Sequence, residues 1–327
     1  MSDQRAASRL SVIALALVLA GCGSAPSASP VGALTASPTS SDAVPSATAS
    51  PTAAPTQIPS IAHATGPTDV ALRFEDRSGS SEFGGVFAPG PIFTLYGDGT
   101  VIFRNDLAMP PPAEGSIIRA RPFLIVHLDE DQVQSVLRFA LREGGLGSVR
   151  QAADQGCAVY GGELTGDPWA LQFTVHAGGL DNCVVVQVLD RTLALDPEVD
   201  PDAVARSAFV ALADYLRNFD LQVPTQAWMP DRYWGILIGP GWPKCDTAIA
   251  WPWPDIAPED FLLPKELALP EWYWPGGTAE ERRVMSADEA AQLGFSGIAG
   301  GVQICLVGPD GTYFFALWPL SPADPNW

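Results

Sequence analysis

Residues 23–66 decide where this chain can fold, because they cannot build a core. The stretch is almost entirely Ser, Ala, Pro, Thr and Gly. It has no Phe, Tyr or Trp and no Lys or Arg, and Asp42 is its one acidic side chain. Ordering such a segment costs backbone entropy that its few large aliphatics cannot offset. It reads as a flexible tether, with His63 solvated inside it. A flexible chain of this length spans ~40 Å root-mean-square, and a polyproline-like one ~130 Å. Folding is therefore assigned to the residues after 66, in a chain of 327 residues.

The tether is preceded by a targeting signal. Residues 1–9 are polar and carry Arg5 and Arg9, and residues 10–20 form one largely apolar run. Eleven residues of helix reach roughly 16 Å, about half of a bilayer core, so the run suits a signal peptide and not a stable span. Directly after it comes Leu19-Ala20-Gly21-Cys22, which resembles the bacterial lipobox. That resemblance implies cleavage before Cys22 and acylation of its thiol. Two or more acyl chains anchor stably, since each buried CH₂ contributes ~0.8 kcal/mol. The expected organisation is residues 1–21 as signal peptide and 22–66 as tether. An α+β region over 67–222 and a Trp/Pro-rich β-containing region over 223–327 come next, the last two separate or continuous. The expected location is the extracytoplasmic face of the cell membrane, with the lipid on Cys22 as the membrane contact.

The chain carries 18 Lys and Arg against 37 Asp and Glu, a formal charge of −19. Residues 1–66 hold only Asp3, Asp42, Arg5 and Arg9 of these, so the acidity belongs to the later part. A surface of that sign repels phosphate backbones and excludes nucleic acid as a partner class.

Turn chemistry and periodicity give a coarse α+β reading with mostly antiparallel sheet. Residues 69–76 alternate as a strand. Ile92–Tyr96 and Thr100–Arg104 flank Gly97-Asp98-Gly99, a hairpin signal because tight turns need positive φ. Asp129 caps a helix through Val133, Val136, Leu137, Ala140 and Leu141, ended by Gly144-Gly145. Leu171–His176 and Cys183–Leu189 form a hairpin around Gly178-Gly179. Pro201 opens a helix through Phe209, Leu212 and Leu216. Arg232–Ile238 is a strand. Ser286-Ala-Asp-Glu289 is a capping box for a short third helix. Val302–Val307 and Thr312–Leu317 flank Pro309-Asp310-Gly311 as the last hairpin.

Four cysteines remain after Cys22. In an exported chain an even number points to disulfides. The sequential pairing, Cys157–Cys183 and Cys245–Cys305, keeps each bridge within one half, and the rival readings are free buried thiols or zinc. Zinc lacks the C-x₂₋₄-C spacing, so no metal or other cofactor is expected.

Phosphate-binding loops and zinc-protease motifs are absent from the sequence, and Gly294-Phe-Ser296-Gly297-Ile298 is an incomplete nucleophile elbow. His127 and His176 read as structural or solvated. Asp196, Glu198, Asp200 and Asp202 alternate like a calcium loop, but Pro201 and Ser207 stand where glycine and a carboxylate are needed. The distinctive feature is aromatic. Trp228, Trp234, Trp242, Trp251, Trp253, Trp272 and Trp274 fall within one Pro-rich region, seven of the ten in the chain. They suit a loop-rich core, a sugar-stacking platform or a protein hot spot. The candidate ligand platform is Trp251, Trp253, Trp272 and Trp274, with Glu259, Asp260, Glu266 and Glu271 as carboxylates for glycan hydrolysis.

Phe93–Val101, Val133–Gly147, Trp251-Pro-Trp253-Pro254, Ser286–Glu289 and Tyr313–Leu320 together resemble a group of uncharacterised secreted lipoproteins of high-GC bacteria. That resemblance implies an exported, anchored α+β domain and carries over no catalytic residue. The functional expectation is a non-catalytic binding or interaction module with an envelope glycan or protein partner. The alternatives are a glycan-binding or glycan-hydrolysing protein using the Trp-rich region, and a purely structural envelope protein.

Overall fold

A computed structural model describes residues 59–76, 91–105, 109–150, 156–161, 170–187, 202–221, 223–238, 247–261, 281–294 and 296–324. Residues from Gln57 onward form one compact unit, and Met1–Thr56 fall outside the described residues. The signal peptide, Cys22 and most of the expected tether are therefore not described.

The architecture is α+β. Among the described residues the first sheet contains β1 (Val70–Asp76), β2 (Phe93–Tyr96), β3 (Thr100–Phe103), β5 (Leu124–His127), β6 (Ala158–Tyr160), β7 (Ala170–Ala177), β8 (Leu180–Gln187) and β9 (Gln226–Ala227). Their order is β6-β8-β7-β1-β2-β3-β5-β9. The second sheet runs β11 (Ile249–Ala250), β13 (Val302–Gly308), β14 (Gly311–Pro319), β10 (Arg232–Ile238) and β12 (Glu281–Ser286), with β4 (Ile118–Arg119) also paired to β13. Pairing is antiparallel except at the two parallel edges, β6 on β8 and β11 on β13. The helices are α1 (Glu130–Leu141), α2 (Ala203–Arg217) and the short α3 (Ala287–Ala291).

Local chemistry sets these elements. Gly99 takes φ +87° in the β2–β3 turn, and Gly178 and Gly179 take +64° and +78° in the β7–β8 turn. Both are backbone states in which glycine has no Cβ penalty. Asp129 closes a capping box with Gln132 at the start of α1, and Ser286 closes one with Glu289 at the start of α3. The second helix begins later than the sequence indicates. Its first residue is Ala203, preceded by Asp202, while Pro201 lies outside the described residues.

The elements stack in layers because β2 and β3, in the middle of the first sheet, are buried on both faces. Phe93, Leu95, Val101, Phe103, Phe173 and Val184 pack with Val133, Leu137 and Ala140 of α1 and Phe209, Leu212 and Leu216 of α2. The opposite face presents Tyr96 and Ile102 to Trp318 of β14 and the half-buried Trp234 of β10. Beyond β14 the second sheet turns Tyr313, Phe315 and Leu317 into a further core with Tyr233, Ile304, Trp253 and Phe261.

The expected division at 222/223 is bridged in both directions. Strand β9 crosses to pair with β5, and β4 crosses to pair with β13. Neither sheet is complete on one side of that division.

Two residues of β10 make this layering testable. A Cβ on Gly235 would lie 2.5 Å from Met285 Sδ and 2.8 Å from Phe261 Cε1. Gly235→Ala should lower unfolding free energy by about 1–3 kcal/mol in urea titration, as overpacking does. Burial pushes the Tyr233 phenol up from 10.0 to about 12, with the Asp231 charge adding to it. The folded chain keeps a proton that the unfolded chain loses in that interval. Stability is full below pH 10 and falls as the pH climbs towards 12. Tyr233→Phe should flatten that fall in unfolding midpoints measured across pH 9–12.

Candidate functional site

The Trp pair singled out in the sequence is part of a core. The Pro252 and Pro254 rings favour extended backbone, which puts both indoles on one side. That side is inward. Trp253 is 1 % exposed, and its Nε1–H donates to Glu289 O at 2.7 Å. Trp251 is half-buried and donates to Ile256 O at 2.7 Å. The two rings meet edge to face at 5.2 Å, and Phe315 lies 5.1 Å from Trp253. With its polar atom satisfied and its face covered, Trp253 offers no surface for a sugar to stack on. This corrects the platform reading for Trp253, while Trp251 is half-buried against the same core. Trp272 and Trp274 lie outside the described residues, as do Glu266 and Glu271. Glu259 and Asp260 are exposed on a short 3₁₀ turn, where Asp260 accepts from Ala257 N.

Cys157 and Cys183 form a disulfide with Cα atoms 4.4 Å apart. The bridge ties the start of the parallel edge strand β6 to β8. Cys305 in β13 is disulfide-bonded, and its expected partner Cys245 lies outside the described residues.

The other candidates sit apart from one another. His127 Nδ1 is 3.4 Å from Thr100 Oγ1 on the neighbouring strand. His176 pairs with Asp181 at 2.8 Å across the β7–β8 hairpin. The Ser296 carbonyl accepts from Arg119 Nε. Asp202 of the calcium-like run is bound by Arg150 through two contacts, 3.1 Å and 3.0 Å, and by Gly161 N. Burial alone would raise its carboxyl, but the Gly161 N–H and the Arg150 guanidinium outweigh it and leave the group below its ordinary range. Asp196, Glu198 and Asp200 lie outside the described residues. Among the described residues no group of three or more His, Cys, Asp or Glu is placed to hold a metal.

Two constellations were missed in the sequence pattern. The first is a part-buried ion-pair latch. Arg73 of β1 donates to Glu75 at 2.7 Å and to Asp324 at 2.9 Å. Asp324 also accepts from both Ser321 N and Ser321 Oγ. The latch joins residues 251 apart in the chain, and no local pattern could reveal that.

The second is the last stretch of the expected tether. Residues 61–66 lie against the folded unit. Gln134 of α1 reads both backbone groups of Ile61: its Oε1 accepts from Ile61 N at 2.7 Å and its Nε2 donates to Ile61 O at 2.8 Å. Gly178 N donates to Ala62 O at 2.7 Å, and His63 forms an isolated antiparallel bridge with Ala177. The Ile61 side chain packs on the main core. The His63 side chain is 5 % exposed, with Nδ1 2.7 Å from Ala64 O and Nε2 3.4 Å from Glu130 Oε1. The expectation of a solvated His63 is thus corrected, and the folded region begins before residue 67. One hint was local: Ile61 and His63 are bulkier than the residues around them.

Comparison with known protein families, with curated proteins and with solved structures returned no match.

The disulfide closes a loop across 26 residues, for which the chain-entropy relation gives about 3–4 kcal/mol. A Cys157→Ser, Cys183→Ser double variant should lose stability of that order in denaturant titration. An unchanged midpoint would show that the bridge adds nothing to stability.

Proposed function

We propose that the chain is an extracytoplasmic lipoprotein, held on the cell membrane through acylated Cys22, that displays its folded unit as a non-catalytic binding or interaction module. The observation that carries the reading is Leu19-Ala20-Gly21-Cys22 placed directly at the end of an eleven-residue apolar core. The composition after Cys22 supports it, since an uncharged Ser/Ala/Pro/Thr tract suits a spacer between lipid and domain. No described helix is long and apolar enough to cross a membrane. In this reading the attachment is the lipid.

The binding-module part draws on where the distinctive side chains sit. Trp251 and Trp253 fill a core, while His127, His176 and Asp202 each engage a separate partner. An envelope glycan or protein partner fits an acidic displayed unit, and a nucleic acid does not.

Labelling growing cells with radioactive palmitate tests the anchor. The native chain should take up label and sediment with membranes, and Cys22→Ser should do neither. Equal labelling of both would overturn the proposal.

A further inference from the structure

Residues 61–66 are bound to the folded unit in the manner of a peptide ligand. Gln134 reads main-chain N–H and C=O of one residue, which suits an extended peptide of any origin. Gly178 N supplies a third main-chain contact, at Ala62 O. A side-chain pocket adds selectivity. Ile61 Cγ2 lies 3.5 Å from where a Gly178 Cβ would stand, and Leu141 Cδ1 lies 3.3 Å from the same point. The missing side chain at 178 makes room for a branched residue. Further along, a Cβ on Gly97 would be 2.3 Å from Ala64 O, so the bare backbone of the β2–β3 turn lets the strap pass. His63 is covered on one side by Glu130 and bridges Ala177 on the other.

The strap's hold is thin. Its ladder is a single isolated bridge, in contrast to the eight registered pairs of β7 with β8. A segment tethered close to its site experiences an effective concentration on the order of millimolar, so weak intrinsic affinity keeps it docked.

We propose that the groove formed by Gln134 and Glu130 of α1, Gly178 of the β7–β8 turn and Gly97 of the β2–β3 turn is a peptide-recognition site. The chain fills it in cis with Ile61–Gly66. Its ligand class is an extended peptide carrying a β-branched residue, a small residue and a histidine in succession. Such a segment on a partner protein competes with the strap for the same groove. This does not rest on acylation of Cys22.

The test uses the full chain with the strap weakened and the groove intact, as Ile61→Asp with His63→Ala. The probe is a synthetic peptide spanning Pro59–Gly66, and the reporter is the Gly178 amide. In the strap variant that amide should exchange with solvent about tenfold faster or more. Adding the peptide at about 5 mM, above the effective concentration of a short tether, should restore its protection and chemical shift. The same peptide with Asp in place of Ile61 should not. Adding Gln134→Ala to the strap variant should abolish the rescue, while wild type should show no change at Gly178, because strap and peptide cover that amide in the same way. Unchanged Gly178 protection in the strap variant, or a folded strap variant that ignores the peptide, would overturn the proposal. Global loss of the circular-dichroism signal in the strap variant would also overturn it, since the strap would then be part of the core and not a ligand.

Discussion

Burial of both faces of β2 and β3 is the constraint on which the other layers depend. All four residues of β2 are buried. Phe93 and Leu95 need the helices, while Thr94 and Tyr96 need cover on the other side. The second sheet supplies that cover through Trp318 and Trp234. It must then bury its own far face, which the Trp251, Trp253 and Phe261 loops do. Each layer is thus a consequence of the previous one. The crossing strands β4 and β9 arise from the same need, because each sheet borrows an edge from the segment that belongs mainly to the other.

Stacked apolar layers specify contact but not register, and the buried cations supply some of the missing direction. Arg104 is nearly inaccessible, with its guanidinium 4.7 Å from the Trp318 ring centroid and 5.4 Å from Phe123. A desolvated arginine over an aromatic face gains about 2 kcal/mol. Arg217, 1 % exposed, lies 5.1 Å from the Phe74 ring and so orients α2 on β1. The Arg73–Asp324 pair ties the chain's last described turn to β1. Burial works against Arg73, but Glu75 and Asp324 outweigh it and raise its pKa above the ordinary value. Removing one partner of such a pair leaves an uncompensated charge, which costs more than the intact pair contributes. Its role is therefore better described as selecting one arrangement than as adding stability.

Legibility in the sequence tracked how local each determinant was. The β2–β3, β7–β8 and β13–β14 hairpins were readable because a glycine or Asp-Gly turn and two apolar runs lie within about 20 residues. The caps at Asp129 and Ser286 were readable because they act over three residues. Strands β4, β9 and β11 are two residues each and carry no periodicity, and parallel β6 pairs through a distant segment. The tryptophans show the same limit differently. Pro alternation put both rings on one side, but which side faced the core depended on β13 and β14, about 50 residues later. Gln134 looked like a polar position on an amphipathic helix. Its role emerges only when Ile61 arrives, 73 residues earlier in the chain.

In the proposed anchored reading, the strap changes how tension on the chain would reach the fold. If the chain left the fold at Val70, tension would act directly on the end of β1 and peel it from β2 and β7 one pair at a time. With Ile61 held by Gln134 and Ala62 by Gly178, tension first meets three hydrogen bonds to the strap's main chain and a packed side chain. Those contacts lie on α1 and on the β7–β8 turn, which the register of β1 with β7 sets beside the start of β1. Release of residues 61–66 would lengthen the tether by roughly 20 Å at full extension, before any strand pair is lost. In the proposed anchored reading the groove would thus take up load before the sheet whose central strands organise the molecule. If Cys22 is acylated as proposed, a peptide that displaced the strap would also set how far from the lipid the folded unit can reach.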